Sequence, residues 1–441
     1  MAYGFNDHKR NCLTLAHDSL MIPWEEVPMD FFEQLETRTD LPAVDYPHVP
    51  RAKGIGDRLL ARYLKRFGKG LGPMKPIAKV NGDMAVYDLT QPPMGSAAGA
   101  RVLRTGLNYV VLRKEARPIN MVLMLNSACN MRCAHCSARD YLDSSRKPLE
   151  LGEIKSLVDQ FVELGGASLI YSGGEPTIHK NLLELVDYVP KDKAVISIFT
   201  NGSRLADLAP ELRSAGLFGT LVSVDSTDPD THDRLRGSKG AFAGAKAGVE
   251  ALLDNNMLVG ISSYMTKQNL DDGDWDRILD LAIQWKVMQL FMFDAVPTGA
   301  IMHQQHTRLS QEDRNRIKEL TMAQNANPTG PAVMGQSWVN SADGFGCFAG
   351  FYQVYVNSFG DVCPCDFTPI TFGNVREEPL EKIWARLRKS EDWGERFPEC
   401  RMQDQGFRSR SVDLIPEGMP WPVSYETLLE LRREAGLADN D

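Results

Sequence analysis

The stretch from residue 120 to about residue 296 alternates between short apolar runs and segments whose apolar positions recur every three or four residues. Runs of the first kind indicate buried strands, and the periodic segments indicate amphipathic helices. The six predicted strands are Met121–Leu125, Ser168–Tyr171, Ala194–Phe199, Thr220–Asp225, Leu258–Met265 and Gln289–Ala295. The predicted helices between them are Leu151–Leu164, Asn181–Val189, Arg204–Ser214, Ala241–Asn255 and Trp275–Trp285. Six strand–helix units predict an α/β fold, with a parallel sheet and its helices outside.

Residues 1–118 precede this region and predict an α+β extension. The segment 51–76 carries eight Lys or Arg and one acidic residue, Asp57, on a helical pattern of apolar positions. A basic amphipathic helix of this kind either packs on the main domain with a solvated face or contacts an anionic membrane or an acidic partner. We favour the packed helix and keep peripheral membrane contact as the alternative. Two strand-like runs within Ala78–Leu89 flank Asn81-Gly82, which is a hairpin signal.

Beyond residue 300 the pattern changes. Phe351–Val356 alternates like one arm of a hairpin, and Asn357–Asp361 supplies the turn. Four cysteines, at 347, 363, 365 and 400, lie around or after this hairpin. We therefore expect three domains: an extension at 1–118, a central α/β domain at 119–300, and a small cysteine-rich C-terminal domain at 301–441.

Composition narrows the class of protein. The 441 residues are 43% hydrophobic and 24% charged, enough for two or three packed domains. The formal net charge of -9 argues against a general nucleic-acid binder. The first residues contain no apolar leader, and no run approaches the roughly 18 apolar residues of a spanning helix, so we expect a cytoplasmic protein. Seven of the eight cysteines form two groups, which favours metal binding over disulfides, and Cys12 stands apart as an ordinary small apolar residue.

The first cysteine group is Cys129-Asn-Met-Arg-Cys133-Ala-His-Cys136, directly after the first predicted strand. An iron–sulfur cluster is normally held by four thiolates. A compact loop with three leaves one iron for an outside ligand, and a chelating small molecule is the natural candidate. Structural zinc is the alternative, because closely spaced cysteine pairs often hold that ion.

This CxxxCxxC loop after a first strand resembles the radical S-adenosylmethionine (SAM) superfamily. The resemblance implies a partial (βα)6 barrel of TIM type. It also implies a [4Fe–4S] cluster whose open iron chelates SAM, and an enzyme that forms a 5′-deoxyadenosyl radical to abstract hydrogen from its substrate. A flavodoxin- or ferredoxin-type protein would supply the electron. The protein itself contributes placement and exclusion of water.

The resemblance also assigns residues to SAM. Tyr171-Ser172-Gly173-Gly174-Glu175-Pro176 is similar to the family's GGEP motif, which contacts the methionyl amine, although Gly-Gly-Glu-Pro alone also suits an ordinary turn. The implied cofactor-binding residues are Gly173, Gly174, Glu175, Asn201, Ser223 and Arg236. Ser223 and Arg236 would contact the ribose and the carboxylate, since a guanidinium fork matches a carboxylate. His232 and Asp233 fit a helix-capping role better than chemistry.

The second cysteine group satisfies C-x12-G-x4-C with Cys347, Gly360 and Cys365. This pattern resembles the SPASM or shorter twitch extensions of the superfamily, which carry auxiliary [4Fe–4S] clusters. With four cysteines available, the resemblance implies one auxiliary cluster of the twitch-like form, held by Cys347, Cys363, Cys365 and Cys400. Two alternatives stay open: Cys363 turns away and leaves an open iron, or the four thiolates hold structural zinc.

The matched residues bind cluster or SAM and do not identify a substrate. Tyr264, Asp294, His303 and His306 are candidates for proton or hydrogen transfer near predicted strand ends, and we assign none of them. We expect hydrogen abstraction from a small-molecule or lipid-like substrate. The alternatives are a ribosomal-peptide maturase of the SPASM type and a non-catalytic metal-binding protein.

Overall fold

The computed structural model of the protein describes residues 41–46, 48–51, 74–82, 84–110, 115–142, 145–304 and 307–437. The predicted basic helix falls almost wholly within 52–73 and so lies outside the described residues. Within the described part of the chain, no helix combines the length and the apolar content needed to cross a bilayer.

A small sheet forms the described start of the chain. Its strands are β1 (Ala43–Val44), β2 (Ala78–Val80) and β3 (Met84–Val86), and β2 lies between the other two. β2 and β3 pair antiparallel across Asn81 and Gly82, whose φ angles are 49° and 100°. Positive φ at both turn residues is what a tight hairpin requires. The predicted hairpin is confirmed.

The main sheet has nine strands within the described residues. They are β4 (Asn120–Met124), β5 (Ser168–Ser172), β6 (Val195–Thr200), β7 (Gly219–Ser223), β8 (Leu258–Met265), β9 (Gln289–Asp294), β10 (Ala332–Gly335), β11 (Gln353–Val356) and β12 (Val362–Cys363). Their spatial order is β10-β9-β8-β7-β6-β5-β4-β11-β12, and every neighbouring pair is parallel except β11 with β12. The six predicted strands are confirmed as β4 to β9, each within two residues of its expected bounds. A third, two-stranded sheet pairs β13 (Ile370–Thr371) with β14 (Val423–Ser424).

Helices connect the parallel strands. The described helices are α1 (Ala97–Val110), α2 (Leu151–Glu163), α3 (Leu182–Tyr188), α4 (Leu205–Ser214), α5 (Pro229–Arg236), α6 (Ala241–Asp254), α7 (Lys267–Asp271), α8 (Asp274–Gln284), α9 (Gln311–Ala326), α10 (Gln336–Val339), α11 (Leu380–Lys389), α12 (Gln405–Ser409) and α13 (Tyr425–Glu434). The five predicted helices are confirmed as α2, α3, α4, α6 and α8. The fold is the expected α/β barrel-type sheet with helices outside.

Alternate side chains of each strand face different layers. On β4, Leu123 belongs to the large apolar core beneath the helices, whereas Val122 and Met124 pack with Tyr355 on the inner face. This alternation follows from the two-residue repeat of a strand. The helices therefore cover the outer face, and the inner face is left for the site.

A short turn from Asp88 to Thr90 closes the amino-terminal end of the barrel. The Leu89 side chain is fully buried among Val195, Phe218 and Leu258. The Leu89 carbonyl accepts a hydrogen bond from Ser197 Oγ at 2.5 Å, and the Leu89 N–H donates to the side chain of Gln289 at 2.8 Å. The N-terminal extension thus supplies the floor of the barrel.

The C-terminal region joins the main sheet directly. The predicted hairpin is confirmed, because β11 pairs antiparallel with β12 and Tyr355 lies opposite Cys363. β11 also pairs in parallel with β4, Gln353 opposite Asn120, and β10 extends the other edge beside β9. Both edges of the six-stranded unit are thereby paired, which removes exposed backbone groups. The division of the chain at residues 118 and 300 stays a prediction.

Candidate iron–sulfur active site

The loop with Cys129, Cys133 and Cys136 lies at the carboxyl end of β4, where parallel sheets place their sites. Its three thiols are partly exposed and form no disulfide. The loop is held through its backbone by three other segments. Glu175 N donates to Ala128 O at 2.8 Å, Ala134 N to Leu235 O at 2.8 Å, and Ala300 N to Cys136 O at 2.9 Å. These bonds fix the loop without using its thiols.

The Gly-Gly pair lies against this loop. Gly174 N donates to Asn126 O at 2.9 Å, and a Cβ at residue 174 would lie 1.9 Å from Ala128 O. No side chain fits at that distance, so glycine is required at this position for the two loops to meet.

Glu175 is buried beneath the loop and is 1% exposed. Its Oε1 accepts hydrogen bonds from Thr177 N at 3.0 Å, Thr177 Oγ1 at 2.6 Å and Thr200 Oγ1 at 2.6 Å, and its Oε2 accepts one from Asn201 N at 2.8 Å. Burial raises the pKa of Glu175, and these hydrogen bonds oppose that rise. The carboxylate therefore ties the end of β5 to the end of β6, with acceptor capacity left on Oε2 for one further donor.

Asn201 continues this connection towards the cysteines. Its Nδ2 donates to Asn130 Oδ1 at 2.8 Å, and Asn130 Nδ2 donates to Ser203 Oγ at 2.8 Å. Asn130 is the residue after Cys129, so the end of β6 reaches the cysteine loop through side chains. Ser223, at the end of β7, lies 3.4 Å from Ser262 Oγ on β8.

Arg236 is the last residue of α5 and lies under the cysteine loop. Its Nη2 is 2.7 Å from Asp225 Oδ2, and its Nη1 is 3.8 Å from Cys133 Sγ. Asp225 Oδ2 is also 3.3 Å from His135 Nε2. Burial opposes ionisation of Asp225, but the charge of Arg236 and the interaction with His135 outweigh it and hold the pKa of that carboxyl below its usual range. The guanidinium is therefore charge-paired within the protein while it touches a cluster thiol.

His135 forms the side of the site beside β8. Its ring stacks on Tyr264 with centroids 4.0 Å apart, and its buried Nδ1 has no hydrogen-bond partner. Burial raises the pKa of Tyr264 to about 12, so this hydroxyl stays protonated. Buried polar atoms are nearly always partnered, and the lone Nδ1 is therefore a contact point for a bound ligand.

Asp233 and His232, both expected to cap a helix, lie beside this network. Asp233 caps α6, because its carboxylate accepts hydrogen bonds from Gly240 N and from Phe242 N at 2.9 Å. The predicted capping role of Asp233 is confirmed. His232 acts differently, since its Nδ1 accepts a hydrogen bond from Asp225 N at 3.2 Å.

The second cysteine group is buried. Burial raises the pKa of Cys400 well above its usual range, and the charges of Cys347 and Cys365 raise it further. The three side chains belong to the large apolar core, and backbone hydrogen bonds from Cys347 N to Phe397 O at 2.9 Å and from Gly350 N to Pro364 O at 3.1 Å bring their segments together. Cys363 packs in a different cluster, with Met124, Tyr141 and Tyr355 on the inner face. The structure therefore groups three of the four predicted ligands and sets the fourth on the other side of β12.

The spacing of the cysteine side chains suits an iron–sulfur cluster better than a single metal ion. Among the described residues, no three His, Cys, Asp or Glu side chains converge closely enough to hold a single metal ion. A cubane keeps its thiolates further apart than one ion does. Three free thiols on a fixed loop, a guanidinium beside Cys133 and the unpartnered Nδ1 of His135 fit a cluster with a polar small molecule next to it.

Two family models match the chain. The model of the radical SAM superfamily matches residues 124–282, and that of an iron–sulfur cluster-binding domain, SPASM, matches residues 347–405. Fold and site together define an iron–sulfur enzyme, and the chain belongs to the radical SAM superfamily. More particularly, it is a radical SAM enzyme with a C-terminal SPASM extension. Its cofactors are a SAM-bound [4Fe–4S] cluster and auxiliary iron–sulfur clusters in the extension. Iron–sulfur clusters thus replace the structural zinc considered as the alternative at both cysteine groups.

Two relatives and one solved structure illustrate what the chain is similar to. The AdoMet-dependent heme synthase of Methanosarcina barkeri is 28% identical over 301 residues, which cover 63% of this chain and 85% of that protein. The subtilosin biosynthesis protein AlbA of Bacillus subtilis is 26% identical over 310 residues, 65% of each chain. The crystal structure of Streptococcus suis SuiB bound to precursor peptide SuiA shares the fold, with a TM-score of 0.52 at 18% identity over 65% of this chain and 69% of that one.

The four candidates for proton or hydrogen transfer lie in different environments. Tyr264 lies beside His135, and Asp294 is buried at the end of β9, where burial raises its pKa to about 6. His303 is exposed, and His306 lies outside the described residues. Sequence reasoning missed Asp225 and His135. Their positions, next to Ser223 and between two cluster cysteines, were the available signals.

Proposed function

We propose that this enzyme abstracts hydrogen from a small substrate with a flat, apolar face, bound at the mouth of its barrel. When bound, the cluster and SAM supply the 5′-deoxyadenosyl radical. Cys129, Cys133 and Cys136 would hold the cluster. Gly173, Gly174, Glu175, Asn201, Ser223 and Arg236 would hold SAM, and an electron donor of flavodoxin or ferredoxin type would reduce the cluster.

The observation that carries the substrate class is an aromatic wall, which we define as Phe199, Phe291, Phe293 and Phe367. Ring centroids are 5.7 Å apart for Phe199 and Phe293, 4.5 Å for Phe291 and Phe293, and 6.0 Å for Phe293 and Phe367. Phe199, Phe291 and Phe293 lie on β6 and β9 yet stay partly exposed, unlike Ile198, Leu290 and Met292 on the opposite faces. Side chains on the inner face of a barrel that are not covered border open space. Aromatic faces favour a flat or apolar ligand.

Relatives support both candidate substrates. The relative named heme synthase acts, by its name, on a small molecule, and the neighbour SuiB was solved with a precursor peptide. We place the small molecule first because the aromatic wall offers apolar ring faces, whereas an extended peptide needs backbone hydrogen-bond partners or side-chain pockets. A ribosomal-peptide maturase is the second candidate, supported by the relative AlbA. A lipid-like substrate would also suit the wall.

The first experiment tests the class of reaction. The protein is reconstituted anaerobically with iron and sulfide, reduced, and incubated with SAM, and 5′-deoxyadenosine is measured by mass spectrometry. We expect product from the wild type and from C12S, which removes a cysteine outside both groups, and none from C129A. No product from a fully loaded wild type would contradict the proposal.

The second experiment tests the substrate class. Fe-coproporphyrin III, after which one relative is named a synthase, serves as the flat probe, and SuiA serves as the peptide probe. We expect the porphyrin to bind and F293A to weaken its binding about 3- to 10-fold, as expected for loss of one aromatic contact. Tyr188→Leu, on the outer helix α3, is the matched control. Binding of SuiA that F293A weakens, with no binding of the porphyrin, would favour the maturase instead.

A further inference from the structure

We propose that the auxiliary cluster of the SPASM extension is held by the thiolates of Cys347, Cys365 and Cys400 together with the side-chain oxygen of Gln403, and that Cys363 is not a ligand. This ligand set replaces the four-thiolate set expected from sequence. It rests on the presence of the auxiliary cluster and is independent of the substrate class proposed above.

Cys363 packs in a different side-chain cluster from the other three cysteines. Val362 and Cys363 are consecutive in β12, so their side chains point to opposite faces. Val362 packs in the large core that also holds Cys347, Cys365 and Cys400, while Cys363 packs with Tyr355 and Met124. Tyr141 packs in the same cluster. The Cys363 side chain thus belongs to the inner face.

Backbone contacts bring the remaining three thiols to one place. Cys347 N donates to Phe397 O at 2.9 Å, which sets the Cys347 strand beside the segment that leads to Cys400. Gly350 N donates to Pro364 O at 3.1 Å, which sets the segment after Cys347 beside the residue that precedes Cys365. All three thiols are less than one-tenth exposed. They form a protected set that is one ligand short of the usual four.

Gln403 is placed to complete this set. Arg401–Gln403 is a single 3₁₀ turn capped by Cys400, and Gln403 N donates to Cys400 O at 3.0 Å. The Gln403 residue is thereby folded back beside Cys400. It is 3% exposed; its Nε2 donates to Ala295 O at 3.2 Å, whereas its Oε1 has no partner. An unpartnered buried acceptor costs about 1–3 kcal/mol, and a metal ion would remove that cost.

The nearest competing ligand is already engaged. Asp294 is buried beside Cys400, but each of its carboxylate oxygens lies 2.8 Å from Ser337 Oγ. Within the described part of the chain, the amide oxygen of Gln403 is a buried acceptor without a partner next to Cys400. An uncharged ligand in place of a thiolate makes a cluster less negative and raises its reduction potential, as His ligands do in other iron–sulfur centres.

The role of Cys363 is tested by iron content in the full-length, reconstituted protein. We expect C363S and C363A to keep the wild-type iron content and auxiliary EPR signal, and the matched variant C365S to lose about half of the iron. Loss of the auxiliary signal in both Cys363 variants would overturn the inference. This readout does not require SAM cleavage, so it is separate from the test of the enzyme class.

The role of Gln403 is tested by the midpoint potential of the auxiliary cluster, titrated by EPR in the full chain with Cys129, Cys133 and Cys136 replaced by Ala. We expect Q403C and the near-isosteric Q403E to shift the potential to more negative values, because each supplies a charged ligand. D294N is the control and should not lower the potential, since it can only remove negative charge. An unchanged potential in both Gln403 variants would overturn the assignment.

Discussion

The Arg236 guanidinium lies between the carboxylate of Asp225, at 2.7 Å, and the sulfur of Cys133, at 3.8 Å. Arg236 therefore places a positive charge next to the cluster loop, and the buried carboxylate of Asp225 holds the guanidinium in position. Removal of the Asp225 charge should expose the cluster to the full charge of Arg236. The reduction potential of the cluster should then rise, because a positive charge stabilises the more negative, reduced form.

We predict that D225N raises the midpoint potential of the SAM-binding cluster by on the order of 100 mV, from Coulomb's law at a few ångströms in a partly screened site. R236Q should lower the same potential. The double variant D225N/R236Q should return close to the wild type. EPR-monitored redox titration without SAM measures all three, and a fall in potential in D225N would contradict the prediction.

The four hydrogen bonds to Glu175 predict that the substitution E175Q lowers both the stability of the protein and its affinity for SAM. An amide in place of the carboxylate turns an NH₂ group towards donors, so at least one buried donor loses its partner at a cost of about 1–3 kcal/mol. We expect a lower Tm of the apo protein and weaker SAM binding after reconstitution. Glu163→Gln, the same change on an exposed residue at the end of α2, should leave both unchanged.

Two glycines with left-handed backbone allow a paired test of the loop contact. A Cβ at Gly237 would lie 2.5 Å from Arg132 O, whereas a Cβ at Gly240 would meet nothing within 4 Å. Both have positive φ, 60° and 81°, so both substitutions to Ala cost about 1 kcal/mol of backbone strain. We expect only G237A to displace the cysteine loop and to lose iron from the SAM-binding cluster. Equal iron content in the two variants would show that the contact is dispensable.

His232 predicts a pH-dependent stability. Burial lowers its pKa to about 4, below the ordinary value near 6.5. The unfolded chain thus binds a proton more readily than the folded chain between these values. The contribution of the neutral ring is complete above pH 6.5 and is lost as the pH falls towards 4, by about 3 kcal/mol.

The matched variant for this prediction is H232N, whose side-chain oxygen can replace Nδ1 as acceptor for the Asp225 N–H. We expect the urea midpoint of the apo protein to fall less steeply between pH 6.5 and 4 in H232N than in the wild type. Parallel curves for the two proteins would mean that His232 does not carry this part of the acid sensitivity.

Local signals accounted for much of the fold. The strands β4 to β9 are short, buried on both faces and bounded by helical periodicity, so each is visible in its own few residues. Cys129, Cys133 and Cys136 lie on one loop, and their spacing is a property of the sequence itself. The same holds for Asn81-Gly82, whose turn conformation depends on those two residues.

Long-range contacts account for what was missed. The pairing of β11 with β4 joins Gln353 to Asn120, and nothing near either residue indicates the other. The side on which Cys363 points depends on the exact start of β12, because a shift of one residue reverses every side chain. Gln403 has no sequence signal as a ligand. Its role becomes visible only through a buried oxygen without a partner.

The Leu89 floor has a consequence for the order of events during turnover. Because Leu89 fills the amino-terminal end of the barrel, the described residues leave the end beside the cysteine loop as the route for small molecules. Spent nucleoside, methionine and altered substrate must all depart by the path that the next molecules use to arrive. Exit and entry therefore compete, and slow departure along this shared route would limit the rate even where the radical step is fast.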